Sequence, residues 1–166
     1  MNILIQDIQN RLSTQIAALK YIDEDWGQLD DYSPNFPVKW PCALIDISQV
    51  SYSNAGRHSQ LGVAAITITV ADIKLTNSSS KAPAGQIAAQ TAYLQLIKDI
   101  HAALHGWSGH AHYSPLIRES LKRAKRDDGV REHNLVYTCQ IQDTKPEPGR
   151  IPATAEIIVE APKQFY

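Results

Sequence analysis

Four histidines, His101, His105, His110 and His112, fall within twelve residues, and the first two stand one helical turn apart, the spacing at which two imidazoles can share a metal ion. Such a set would suit activation of a metal-bound water. Two features weigh against it. Ala102, not a glutamate, follows His101, so the general base of a zincin helix is missing. The link Gly106-Trp107-Ser108-Gly109 is also a poor rigid support for a ligand set. Imidazoles at a helix C-terminus, where the dipole favours them, are the plainer reading. The basic run Arg118, Lys122, Arg123, Lys125, Arg126 and Arg131 could bind phosphates, with Tyr113 and Tyr137 stacking on bases. Glu119, Asp127 and Asp128 interrupt it, and on a strand its side chains would divide between two faces. The acids Asp23, Glu24, Asp25, Asp30 and Asp31 lack the spacing of a calcium loop. Cys42 and Cys139 form no CxxC pair and read as small buried hydrophobes. No nucleophile elbow, P-loop or dinucleotide fingerprint occurs in the chain.

The elements that must position these residues follow from periodicity. Ile5, Ile8, Leu12, Ile16 and Leu19 recur at spacings of three and four, which predicts an amphipathic helix over Ile3 to Leu19. Tyr21 to Trp40 mixes acids, aromatics and prolines and reads as an ordered connecting segment held by its aromatics. Pro41 opens a strand in which Ala43, Ile45 and Ile47 alternate with Leu44, Asp46 and Ser48. A polar loop from Ser51 to Gln60 then leads to a second strand with Ile66, Ile68 and Val70 against Thr67, Thr69 and Ala71, completing a long hairpin over Ala43 to Lys74. Leu75 to Gly85 reads as a polar loop, and Gln86 to Leu104, rich in Ala and carrying Ile87, Leu94, Ile97 and Ile100, as a second helix. Leu116 to Arg126 and Arg131 to Gln142 read as a strand pair around Asp127-Asp128-Gly129, although the first of these would also pass as an exposed helix. Lys145 to Pro152 is a break, and Ala155 to Val159 suits a short closing strand.

At 166 residues the chain fits one domain with its own core. Its 16 basic against 17 acidic side chains give no global field for nucleic acid. The N-terminus lacks the pattern of a signal peptide, and no apolar run reaches the ~18 residues of a membrane span, so the expectation is a protein made in the cytoplasm with no membrane partner.

The order helix, connecting segment, long hairpin, Ala-rich helix and strand pair resembles that of the tail-terminator or tail-completion proteins of long-tailed bacteriophages, along nearly the whole chain. Locally the resemblance rests on Trp40-Pro41-Cys42-Ala43-Leu44-Ile45-Asp46-Ile47, on the loop Ser53 to Gln60 leading into Leu61 to Asp72, and on Leu135-Val136-Tyr137-Thr138-Cys139-Gln140-Ile141 after a charged turn. It implies an α+β fold, one domain over residues 1–166, with a mostly antiparallel sheet carrying two main helices on one side. It further implies a homo-oligomeric ring, a hexamer, that caps the tail tube, stops its polymerisation and meets the head–tail connector. The partners would be further copies, the tail tube protein and the connector protein, first in the host cytoplasm and then in the virion tail. Such a protein has no catalytic residues, cofactor or small-molecule substrate. A ring needs a heterologous interface, for which strand edges and a long hairpin tip are suited. Asn54, Gly56, Arg57 and His58 at the tip, with Arg118, Lys122, Arg123, Lys125, Arg126 and Arg131, are the expected oligomer or tube contacts. A head-completion or neck protein, a small metal-dependent enzyme and a nucleic-acid-binding module are the alternatives.

Overall fold

The computed structural model describes residues 2–30, 37–56, 59–73 and 79–144. Helix α1 (Asn2–Gln15) leads to the short strand β1 (Tyr21–Glu24) and a 3-10 turn (Gln28–Asp30), followed by the hairpin strands β2 (Cys42–Gly56) and β3 (Ser59–Ile73). Helix α2 (Ala84–Leu104) and the strands β4 (Ile117–Ala124) and β5 (Val130–Thr144) complete the order. The five strands form one sheet, β1-β2-β3-β5-β4, antiparallel except where β1 runs parallel to β2. The fold is α+β, with both helices on one face.

The alternation in the sequence builds that face. Ala43 and Ile45 of β2, Ala64, Ile66, Ile68 and Val70 of β3, and Leu135, Tyr137 and Cys139 of β5 meet Leu4, Ile8 and Leu12 of α1 and Tyr93, Leu96, Ile97 and Ile100 of α2 in one buried cluster. The helical spacings of three and four present one stripe each, as that face requires. Arg11 ties the two helices together, donating from Nε to the Ala103 carbonyl (3.1 Å) while its guanidinium lies over the Trp107 ring. A smaller cluster covers one end of the opposite face, where Leu29, Val38 and Trp40 pack on Cys42, Leu44, Ala71 and Val130.

Several expectations are corrected. Helix α1 ends at Gln15, not at Leu19, although Ile16 and Leu19 are buried. The Ser13 and Thr14 hydroxyls donate back to the Asn10 carbonyl (3.0 and 2.7 Å), a competition that loosens a last turn, and by Lys20 the backbone already donates to Pro41 across the sheet. The segment Tyr21 to Trp40 is more than a connection, because it contains β1. The expected loop Ser51 to Gln60 is mostly strand, with β2 running to Gly56 and β3 starting at Ser59. Both faces of this stretch are exposed, so no apolar alternation marks it. Ile117–Ala124 is a strand and not the alternative helix, since β5 offers it a ladder from Thr138 to Glu132. The expected helix over Gln86 to Leu104 starts two residues earlier, at Ala84. The break at Lys145 to Pro152 and the strand expected at Ala155 to Val159 lie outside the described residues, as does most of the first half of the loop after β3.

Candidate assembly interface

The hairpin changes character at a bulge. From Cys42 to Ile47 the β2 strand pairs with Ile66 to Ala71 over the helices, and the register then slips between Ile47 and Gln49. The extra residue re-aims the strand. Beyond it Val50, Tyr52 and Asn54 stand opposite Ala64, Gly62 and Gln60, and every residue from Ser51 to Gly56 is exposed. The end of β5 flanks the outer half of β3, with Gln140 opposite Val63 and Gln142 opposite Leu61. On its far side the segment around Tyr113 closes onto β5, as Ser114 donates its N–H to the Gln140 carbonyl (2.8 Å) and Gln142 donates to that of His112 (2.9 Å). The result is a three-stranded arm with two wet faces.

Apolar side chains remain on both faces of this arm. Leu61 and Val63, with Ile117 beside them, are about half exposed on the face away from the helices. On the helix side Tyr52 and Ile3 rim a recess of about 250 Å³ lined also by Leu4, Tyr113, Ile141 and Asp143. Tyr52 lies across Gly62, where a Cβ would come within 2.9 Å of its ring and of the Val50 methyl. Glycine is therefore what lets the aromatic ring bridge the two strands. Tyr113 anchors the floor by donating its hydroxyl to Asp7 (2.9 Å) and accepting from the Gly109 N–H (2.9 Å). At the tip the Asn54 side-chain oxygen accepts from the Gly56 N–H (3.2 Å), and Gly56 has φ near +148°, which disfavours other residues. Arg57 and His58 lie outside the described residues.

The basic run divides into two groups. Arg126 is a clamp: it donates to Asp128, Asp30, Glu132 and the Leu29 carbonyl at 2.6 to 3.2 Å, with its side chain only 15% exposed. These carboxylates, Asp128 foremost, hold its pKa above the usual guanidinium range. Arg131 donates to Asp72 (2.8 Å) and lies over the Tyr93 ring at 4.4 Å. Both guanidinium groups are engaged within the fold. Lys122, Arg123 and Lys125 are exposed on or beside β4, and Arg118 is half-buried. Arg118 and Arg123, opposite Tyr137 and His133, stand on the helix side, and Lys122, opposite Asn134, on the other. The strand therefore splits the charge between faces. Strand β5 lies between β3 and β4, so the hairpin tip and β4 are not sheet neighbours.

The histidines form two pairs. His101 and His105 have ring centroids 4.8 Å apart, and His110 and His112 stack at 4.6 Å. Each has local work: His105 accepts from the Arg118 N–H through Nδ1 (3.1 Å), and His101 sits 3.5 Å from the Tyr137 hydroxyl. Burial, with Arg118 and His105 nearby, lowers the His101 pKa. Among the described residues no three His, Cys, Asp or Glu side chains are grouped to hold a metal ion. Cys42 and Cys139 are buried, as expected, and burial pushes their thiols up to about 12 and about 11, which keeps them protonated at neutral pH. Among the described residues no helix is long and apolar enough to cross a membrane.

Two features escaped the sequence reading. The acids of Asp23, Glu24 and Asp25 lie on and just beyond an edge strand, and Trp26 is exposed immediately after them. The signal was present as the alternation Tyr21-Ile22-Asp23-Glu24, too short to stand out.

The chain is similar in fold to a chain from the virion of a native gene transfer agent particle, with a TM-score of 0.53 and 13% sequence identity over 84% of this chain and 94% of that one. No protein-family model matches the sequence, and no curated protein does.

Proposed function

We propose that this protein is a structural component of a phage or phage-like virion, acting as one domain that forms a ring on the tail tube, ends its polymerisation and joins it to the head connector. The observation that carries this reading is the fold likeness to a chain of a gene transfer agent virion, which extends over most of both chains. Two further features support it. A two-faced arm with exposed Tyr52, Leu61 and Val63 is surface that a neighbour or the tube would cover. An open sheet with strand edges at both ends suits head-to-tail contact between copies. The expected partners are further copies, the tube protein and the connector protein, and the place of action is the host cytoplasm during assembly and then the virion tail. The arm, Arg57 and His58 in the sequence between its two strands, and the exposed bases Lys122, Arg123 and Lys125 are the proposed contacts.

The test is polymerisation of purified tube protein followed by electron microscopy, with and without this protein. Shorter tubes carrying a ring-shaped cap at one end are expected. Tubes of unchanged length with no bound cap would overturn the terminator reading, and binding to the connector alone would replace it with a neck role.

A further inference from the structure

The two ends of the sheet carry opposite charge. Strand β4, at one end, bears Arg118, Lys122 and Arg123, with Lys125 following, and its one acid, Glu119, accepts from the Thr138 hydroxyl (3.1 Å). Strand β1, at the other end, bears Asp23 and Glu24, with Asp25 following. Asp25 already crowds Asp46 on β2, whose carboxyl is raised by burial and by that neighbouring charge. Among the described residues neither strand has a sheet partner on its outer side. The edges lie four strand spacings, roughly 19 Å, apart, so one copy cannot join them to each other.

Direction and face also agree. Tracing the pairings across the sheet, β1 and β2 run one way, β3 the other, β5 with β1, and β4 against it. Copies related by rotation about an axis along the strands would therefore set β4 of one antiparallel to β1 of the next, with matching faces. Ile22 packs on the helix side, which places Glu24 there too, and Tyr21 packs on the opposite face with Asp23. Leu121 and Arg123 stand on the helix side of β4, and Lys122 on the other. One antiparallel register sets Glu24, the last residue of β1, opposite Arg123 on the same face, and leaves Asp25 and the exposed Trp26, where the chain bends just past the strand, beside Lys122 and Leu121. Trp26 and Leu121 are exposed by 59% and 48%. A single alignment thus pairs one acid with one base across the strands and brings a second acid and an exposed tryptophan next to a second base and an exposed leucine.

We propose that copies of this chain join edge to edge, the basic strand β4 of one adding antiparallel to the acidic strand β1 of the next in this register. The proposal deepens the ring reading above and rests on it. A contact between two different patches of the same chain repeats head to tail, so it builds a ring where the rotation closes, and not a two-fold dimer.

Light scattering of the full chain gives the test, at 50 mM and 500 mM NaCl and over a range of concentrations. The wild type is expected at the mass of several subunits in low salt and to lose subunits in high salt. Arg123→Glu and Glu24→Arg, both at exposed positions, are each expected to fall to the mass of one chain with unchanged circular dichroism, and the double variant to recover the assembled mass. Trp26→Ser and Leu121→Ser change no charge and are expected to weaken assembly as well. An assembled wild type whose mass all these variants retain would overturn the edge pairing and leave the ring reading standing. Dissociation of both charge variants without recovery in the double would overturn the register. A wild type that stays a single chain at every concentration, and on added tail tubes, would overturn both readings.

Discussion

The inner and outer halves of the hairpin are made of the same two strands, yet they obey different physics. Below the Ile47/Gln49 bulge, Ala43 and Ile45 pair with Val70 and Ile68 under two helices, and all four are fully buried. Above it, Tyr52 and Asn54 pair with Gly62 and Gln60, and the β2 residues are open to water on both faces. The backbone ladder runs through both halves on either side of the bulge, so strand pairing alone does not distinguish them. What differs is what the side chains touch. The inner half draws its stability from burial, whereas the outer half is held by its ladder and leaves Tyr52, Leu61 and Val63 exposed. That exposed apolar surface on a regular backbone is the ground for the contact proposed on the arm.

Truncation in the two halves sharpens that contrast most. Ile68→Ala, at a fully buried position of β3, is expected to cost about 3 kcal/mol in urea denaturation, whereas Val63→Ala, five residues earlier on the exposed face, is expected to change stability by about 0.5 kcal/mol or less. A comparable loss at both positions would mean that the arm is packed within the isolated chain. Next in size is the clamp at the covered end of the open face. Arg126→Ala removes the donor shared by Asp30, Asp128, Glu132 and the Leu29 carbonyl and is expected to cost about 2 kcal/mol. Hydrogen exchange should locate the loosening at Gln28–Asp30 and leave the arm unchanged. A smaller effect, about 1 kcal/mol, is expected for Gly62→Ala, because the new methyl group must displace Tyr52 and Val50. Tyr52 is half exposed and can swing outward, so the change should also alter the rim of the recess, seen as a shift of the Tyr52 ring resonances.

The same contrast explains what could be read from the residues in order. Where one face is buried the pattern was legible: Ile66, Ile68 and Val70, or Leu135, Tyr137 and Cys139, alternate because every second side chain meets a helix. Helix α2 was placed to within two residues for the corresponding reason. Ser51 to Gly56 carries no such alternation because no face of it is buried, so strand and loop look alike there. Strand β1 was missed because it spans four residues and pairs with residues about twenty positions further on. Among the expected contact residues, sequence could not separate Arg126 and Arg131 from Lys122 and Arg123. Their partners Asp30 and Asp72 come from remote parts of the chain and meet them only once the sheet has formed.

The smallest effect expected is a pH dependence confined to the inner half. His133, on the helix side of β5, places Nδ1 3.0 Å from the Tyr93 hydroxyl, which itself donates to the Val70 carbonyl (3.1 Å). Burial lowers its pKa, the nearby Arg123 and Arg131 lower it further, and only Glu132 opposes them. In the unfolded chain the imidazole returns to about 6.5. Between that value and the lower folded pKa the unfolded state binds more protons, so stability is intact above about pH 6.5 and declines as the pH falls below it. His101, whose pKa is lowered in the same direction, adds to the slope. Melting temperatures taken from pH 7.5 to pH 5.5 should therefore fall, and should fall less in His133→Gln, which has no charge to acquire. If the variant followed the wild type across that range, the slope would arise elsewhere. If mobility of the arm changed with pH while the melting temperature did not, the two halves would be coupled more closely than their packing implies.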